Sequence, residues 1–507
     1  MAFSCILRNR HLDRAKCSPA RLPVFESEFL SPFNQSLYRR CIADAAETLC
    51  LSLPQKPYSG KTPTELDSLI ASDFLPKVAA PADKIADIFR SVVANSVSVA
   101  HPHTAAHLHC PPLLSALAAE VVISTLNQSM DSFDQAPIAT MVEQKLVRWL
   151  CNEAGFAATA DGTFTTGGSQ SNYMGLLLAR DAFAQKHWNI QVQKSGLPPD
   201  ARRLRILCSE VAHFTAEKSA AQLGLGTDAV VRVPVDHNFR MIPAALRDIT
   251  RSLQNQNLLP MAVIATAGTT DFGSIDPLAE IITLARSVGA WVHLDAAYGG
   301  ALLFSGQHRS RLEGIESADS ISIDFHKLLW QPIPCSVFLL CDARHFDLIK
   351  MHADYLNPEF HEEEGIPDLV TKSLLTSRRF DALKLWISFQ TLGRTKLATM
   401  IDRTIALARH AGVVISNTPQ LELVAEPQLS TVVFRFVPSR HEFDADEINA
   451  SIRRTLLTKG DSIIGQTRVR NRQCLKFTFM NPTVADQEME TLVARIVEEG
   501  KENEKLL

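Results

Sequence analysis

The chain has 507 residues, ten cysteines and a formal net charge of −4, with 46% hydrophobic and 21% charged residues. That length supports two or three domains with a large core, and the charge balance gives no electrostatic case for nucleic acid or an anionic membrane as partner. No apolar run is long enough to span a bilayer, and cysteines without a CxxC pair read as reduced, mostly buried thiols of a cytoplasmic protein.

In chain order, "MAFSCILRNRHLDRAKCSPARLP" is basic and acid-poor but lacks the apolar core of a secretory signal. It reads as a solvated start, with a transit peptide as the alternative. The first hundred residues are helical and loop-rich, broken by prolines at 54, 57, 63, 76 and 81. "AHPHTAAHLHCPP" then spaces His101, His103, His107 and His109 as a zinc site could. No cysteine pair or acidic ligand nearby completes it, so no metal is expected. "MVEQKLVRWLCNEAG" has helical periodicity and a glycine stop, and "SNYMGLLLARDAFAQKHW" is a second helix entered from "TTGGSQ". "RLRILCSE", "AVVRVPVD", "MAVIATAG", "AWVHLDAA", "DSISIDF" and "CSVFLLCD" are predicted strands with helices between some of them. Strands apolar almost throughout, joined by crossover helices, predict an α/β fold with a mainly parallel sheet covered on both faces. After residue 395 helices and short strands predict a smaller α+β region.

Polar clusters recur at the predicted strand ends, where such sheets bind ligands. "SIDFHKLLWQP" carries Lys327 into an apolar neighbourhood directly after His326. A lysine there ordinarily snorkels to water; the alternative is an amine used in covalent catalysis. Asp295 ends the strand of "WVHLDAAYGG", beside small residues that leave room for something flat. It either caps a turn or serves as counter-ion to a protonated ring nitrogen. "TFTTGGSQSN" offers glycines, the Ser169 and Ser171 hydroxyls and a helix N-terminus suited to phosphate. His213 in "SEVAHFTAEK" could stack on a planar ring, and Thr269 and Thr270 add hydroxyls ahead of Asp276.

Together these pieces resemble the pyridoxal-phosphate-dependent group II amino-acid decarboxylases, within the aspartate-aminotransferase-like fold (fold type I). "HLDAAYGG" and "SIDFHK" carry the resemblance, with "GGSQSN", "AHFTAEK", "GTTDFGSID" and "SRRFDALKLW" in support. It implies a helical N-terminal and dimerisation segment (1–104), a large domain binding pyridoxal 5'-phosphate (105–395) and a small α+β domain (396–507). It also implies that Lys327 bonds the cofactor, Asp295 pairs with its ring nitrogen, His213 stacks on the ring and Ala297 packs below it. Thr270 would lie near cofactor and substrate, and Gln170, Ser171 and His326 around the phosphate. Asp324 and Phe325 stand where many relatives have Asn-Pro. A carboxylate there would repel a phosphate unless protonated or bridged, and Asp324 is kept as a cofactor contact.

"HADYLNPEF" resembles the mobile catalytic loop of these enzymes, with Tyr355 as proton donor to the substrate carbon and a homodimer with shared active sites implied. "NQSMDSFDQAP" is most similar to the L-2,4-diaminobutyrate decarboxylases, which make 1,3-diaminopropane, in some bacteria for siderophore assembly. A second substrate ammonium calls for a carboxylate, which makes Asp131 and Asp134 substrate candidates; His107 joins them at the expected substrate mouth. The alternatives are an aromatic or acidic amino acid as substrate, or a catalytically silent regulatory protein that keeps the fold.

Overall fold

The structure, a computed structural model, describes residues 28–70, 72–440 and 442–506; the basic N-terminal stretch lies outside the described residues. In chain order the first strands are β1 (Thr104–Ala105), β2 (Asp161–Thr165), β3 (Leu204–Ser209), β4 (Val230–Val233), β5 (Leu259–Thr266), β6 (Trp291–Asp295), β7 (Ser320–Asp324) and β8 (Ser336–Leu340). The last seven form one sheet in the order β2-β8-β7-β6-β5-β3-β4. β4, β3, β5, β6 and β7 pair in parallel, while β8 runs against both β7 and β2. This is the mainly parallel α/β sheet expected from the sequence. β6, β7 and β8 are buried at every position, which explains their near-continuous apolar character. Parallel strands all end on one side, so the sheet delivers Ser209, Thr266, Asp295 and Asp324 to a single edge.

Helix Gly168–Trp188 packs across β5 to β8. It buries eleven of its residues, including Asn172 and Gly175, so both its entry loop and its sheet-facing side are fixed by packing. Beyond the large sheet, β9 (Leu421–Leu423), β10 (Thr431–Phe436), β11 (Ile463–Val469) and β12 (Arg472–Thr478) form a second sheet in the order β1-β11-β12-β10-β9. β1 joins it by pairing Thr104 with Ile463, so this sheet recruits a segment from far upstream. Phe434, Phe436, Phe477, Ile452 and Leu456 fill its core. Helix Ala382–Ser416 leads into this region and breaks at Gly393 (φ 67°, ψ 167°), a conformation glycine adopts without a Cβ penalty.

By contact the chain divides into two compact units, one of residues through Leu53 with Ser72–Ala94, the other of Pro54–Ala71 with Asn95 to the C-terminus. In the first unit helices Gln35–Ser52 and Ala82–Ala94 pack on each other, yet neither buries a residue fully. Among the described residues no helix is long and apolar enough to cross a membrane.

One buried charge ties the second unit together close to Lys327. Lys384, in "SRRFDALKLW", is 0% exposed. Its Nζ donates to the carbonyls of Pro332 (3.1 Å) and Pro334 (2.6 Å), and pairs with Asp381 (2.9 Å) and Glu120 (3.0 Å). An ammonium has three donors, so these four acceptors saturate it. Removing one partner of a buried charge network strands the others. Lys384→Met is therefore expected to lower the unfolding free energy of the apoprotein by about 3–5 kcal/mol, measured by urea denaturation. A loss below about 1 kcal/mol would show that the network behaves as an exposed ion pair.

Candidate active site

β7 ends at Asp324, and the backbone N–H groups of Phe325 and His326 both donate to the Cys335 carbonyl (2.9 and 3.2 Å), folding the chain into a tight turn. Three residues after Lys327, Trp330 sits at φ 53°, unusual for an aromatic residue. Its indole Nε1 donates to the Met480 carbonyl at 2.7 Å in a buried setting, and this packing pins the turn. Lys327 projects into a cavity of about 310 Å³ with its side chain 18% exposed, and its Nζ pairs with Asp324 Oδ2 at 2.9 Å. Asp295, His213, Thr270, Gln170, Ala297, His326 and Asp324 line the same cavity. Residues spread over more than 150 positions of the chain thus meet at one sheet edge.

Asp295 is 8% exposed. Its Oδ2 accepts from Asn172 Nδ2 (2.8 Å) and its Oδ1 from the Ala297 N–H (3.1 Å). The sheet register sets Thr266 and Ser322 on either side of it, and neither of those hydroxyls has a hydrogen-bond partner. Asn172 also donates to Thr215 Oγ1 (3.0 Å), and Thr215 Oγ1 lies 3.1 Å from His213 Nδ1. Burial lowers the pKa of His213 against the opposing pull of Asp295.

The other end of the cavity is built for an anion. Gly167 and Gly168 open helix Gly168–Trp188 there, where unpaired N–H groups and the helix dipole favour negative charge. A Cβ at Gly168 would meet the Asp324 carboxylate at 3.1 Å and Ala297 at 3.2 Å, so only glycine leaves this approach open. Gln170 accepts from the Thr166 N–H (2.9 Å) through Oε1, leaving its buried Nε2 without a partner. Asp324 is bridged by Lys327, His326 and Ser336. Burial pushes its pKa up, but Lys327, His326 and the Ser336 hydroxyl (2.7 Å) outweigh burial and hold it below the ordinary carboxylate range.

Other expected residues lie elsewhere. Ser171 is fully buried and bonds Thr165 Oγ1 at 2.7 Å, turned into the sheet rather than toward the cavity. Asp131 folds back onto the Ser132 N–H (2.9 Å), Asp134 accepts from Ser132 Oγ (2.6 Å), and neither lines the cavity. His107 lines a different cavity with His109 and Arg453. His101 and His103 meet edge to face at 5.3 Å, and among the described residues no three histidine, cysteine or acidic side chains converge as a metal site would require. Tyr355 is 89% exposed on a loop braced by Asn357, which accepts from the Ala353 N–H and donates to the Met351 carbonyl. Asp276 points away from the cavity, accepting from the Thr266 and Met241 N–H groups; burial pushes its pKa up to about 6. Sequence reasoning missed Asn172, Thr215 and His293, although Asn172 closes "GGSQSN" and His293 precedes Asp295 by two residues on one strand face.

The residues present fit pyridoxal 5'-phosphate. An amine, a carboxylate opposite it, an imidazole and an anion cradle with an unpaired amide surround one cavity. The profile described as the pyridoxal-dependent decarboxylase conserved domain matches residues 63–437. The L-2,4-diaminobutyrate decarboxylase of Acinetobacter baumannii is 39% identical, over 92% of this chain and 93% of that protein. That of Rhizobium meliloti (strain 1021) is 42% identical, over 88% of each. Among solved structures, the glutamate decarboxylase domain of diaminobutyrate-pyruvate transaminase and L-2,4-diaminobutyrate decarboxylase from Vibrio parahaemolyticus superposes with a TM-score of 0.87. It is 39% identical and covers 94% of this chain and 99% of that one. On this match the chain belongs to the pyridoxal-dependent decarboxylase family, and is a carboxy-lyase that acts on amino acids through pyridoxal 5'-phosphate.

Proposed function

We propose that the substrate is L-2,4-diaminobutyrate, released as carbon dioxide and 1,3-diaminopropane. The observation that carries this reading is that relatives of that name align at 39% and 42% identity over nearly their whole length. Bound at Lys327, the cofactor supplies an electron sink for the pair left on the substrate carbon when carbon dioxide departs. The protein's work is then positional and electrostatic. Among the described residues, Lys327 is the one lysine that lines the cavity, and it has one partner, Asp324, to give up. Lys384, buried and saturated, cannot substitute for it. With the cofactor bound, Asp295 would hold a proton on its ring nitrogen, and His213 and Ala297, which line the same cavity, would pack against the ring. The helix N-terminus at Gly168 and the free Gln170 Nε2 hold the phosphate.

We assign proton delivery to the substrate carbon to Tyr355. Its position on an exposed loop requires that loop to close or to serve a second copy of the chain. A homodimer with shared sites is the arrangement we propose, and it is supported by apolar side chains exposed among the described residues: Ile88 (49% exposed) and Phe89 (45%) on helix Ala82–Ala94. Free and mostly buried thiols suit a reducing cytoplasm.

Three outcomes test this reading. Borohydride treatment of the yellow holoprotein should fix the pyridoxyl group on Lys327, read by peptide mapping; label on Lys384 or elsewhere would overturn the assignment. Tyr355→Phe should keep cofactor binding but lose about a hundredfold or more of its amine production, the scale of a missing general acid. Undiminished turnover would show that another group protonates the carbon. In a panel of L-amino acids assayed for carbon dioxide release, diaminobutyrate should give the highest kcat/KM. Preference for glutamate, tyrosine or tryptophan would remove the substrate assignment and leave the decarboxylase intact.

A further inference from the structure

Behind Asp295 runs a continuous chain of buried hydrogen bonds. Trp291 Nε1 lies 2.9 Å from Ser320 Oγ, Ser320 Oγ 2.8 Å from His293 Nδ1, and His293 Nε2 3.0 Å from Asn172 Oδ1. Asn172 Nδ2 completes it at 2.8 Å from Asp295 Oδ2. Its direction is fixed from both ends. An indole nitrogen can only donate, so Ser320 Oγ accepts from Trp291; a neutral His293 that donates from Nε2 must accept at Nδ1, so the Ser320 proton points there. A carboxylate facing an amide nitrogen can only accept, so Asn172 presents its carbonyl oxygen to His293, which donates from Nε2.

The sheet and helix build this chain deliberately. Register places His293 beside Ser320 on the neighbouring parallel strand, and Trp291, His293 and Asp295 share one face of β6. Asn172 and Gly175, three apart on helix Gly168–Trp188, meet that face. A Cβ at Gly175 would fall 2.3 Å from His293 Nδ1, so the helix keeps a glycine where the imidazole must sit. His293 is 0% exposed, and burial pushes its pKa down to about 4, in keeping with a neutral ring of one tautomer.

We infer that His293, Ser320 and Asn172 are positioning residues: the polarised chain from Trp291 locks the Asn172 amide so that its N–H groups face Asp295 and Thr215. This orients the cofactor's counter-ion and the hydroxyl beside His213 together. Without His293 the amide loses the donor that holds its carbonyl oxygen, and only its bonds to Asp295 and Thr215 resist a rotation that would turn that oxygen against the Asp295 carboxylate. The inference rests on Asp295 as the ring counter-ion.

The test compares His293→Leu, His293→Gln and Asp295→Ala by titrating each apoprotein with pyridoxal phosphate, following the absorbance and circular dichroism of the bound chromophore. Thermal midpoints are recorded alongside. A purely apolar packing role would favour leucine over glutamine at this buried site. The relay predicts the reverse, because the glutamine amide can donate to Asn172 and accept from Ser320. His293→Leu should bind the cofactor about ten- to a hundredfold more weakly, the scale of a charge-assisted hydrogen bond, with an altered chromophore spectrum. His293→Gln should stay within about threefold of wild type. Leucine equal to or better than glutamine, or wild-type affinity and spectrum in both, overturns the inference. If His293→Leu does not fold, Ser320→Ala replaces it, with the same spectral change expected and an unchanged spectrum contradicting the relay. Asp295→Ala separates the two claims: if it binds cofactor with wild-type affinity and spectrum, the counter-ion assignment itself fails.

Discussion

The cavity depends on one hydrogen bond, from Asn172 Nδ2 to Asp295 Oδ2 at 2.8 Å. A carboxylate 8% exposed at a strand end needs donors, and here one comes from a side chain and one from the Ala297 backbone. Because that donor rides on helix Gly168–Trp188, whose N-terminus lines the same cavity, a single element sets the distance between that N-terminus and Asp295. On the proposed assignment, both ends of a flat, phosphorylated ligand would be registered against one helix and one sheet edge.

Asp324 completes this frame. It sets a carboxylate close to the helix N-terminus, compensated by Lys327, His326 and Ser336. Lys327 pairs with Asp324 at 2.9 Å, and on the proposed assignment it would leave that partner to become the amine that holds the cofactor. Its turn is kept in place from outside the cavity by Trp330 on Met480 and by Lys384 on the carbonyls of Pro332 and Pro334.

The parallel sheet was legible because β6 to β8 are buried throughout, and β5 at every position after its first, so that they read as apolar runs. The ends of those runs, at Asp295 and Asp324, were legible for the same reason: a charge stopping an apolar strand stands out. Asn172, Thr215 and His293 were not, because their importance comes from convergence across helix and sheet, which no local spacing encodes. The lysine in "SIDFHK" stands out at the end of an apolar run, while nothing local marks the fully buried Lys384, since its acceptors come from three separate segments. Membership of β1 in the second sheet was equally hidden, resting on two residues that pair with partners more than 350 positions away.

The central claim is that Asp295, fixed by Asn172, keeps a proton on the ring nitrogen of the bound cofactor. The most direct measurement is the nitrogen-15 chemical shift of ring-labelled pyridoxal phosphate in the holoprotein at neutral pH. A shift characteristic of a protonated pyridinium is the predicted result. A shift characteristic of an unprotonated ring nitrogen would contradict the account.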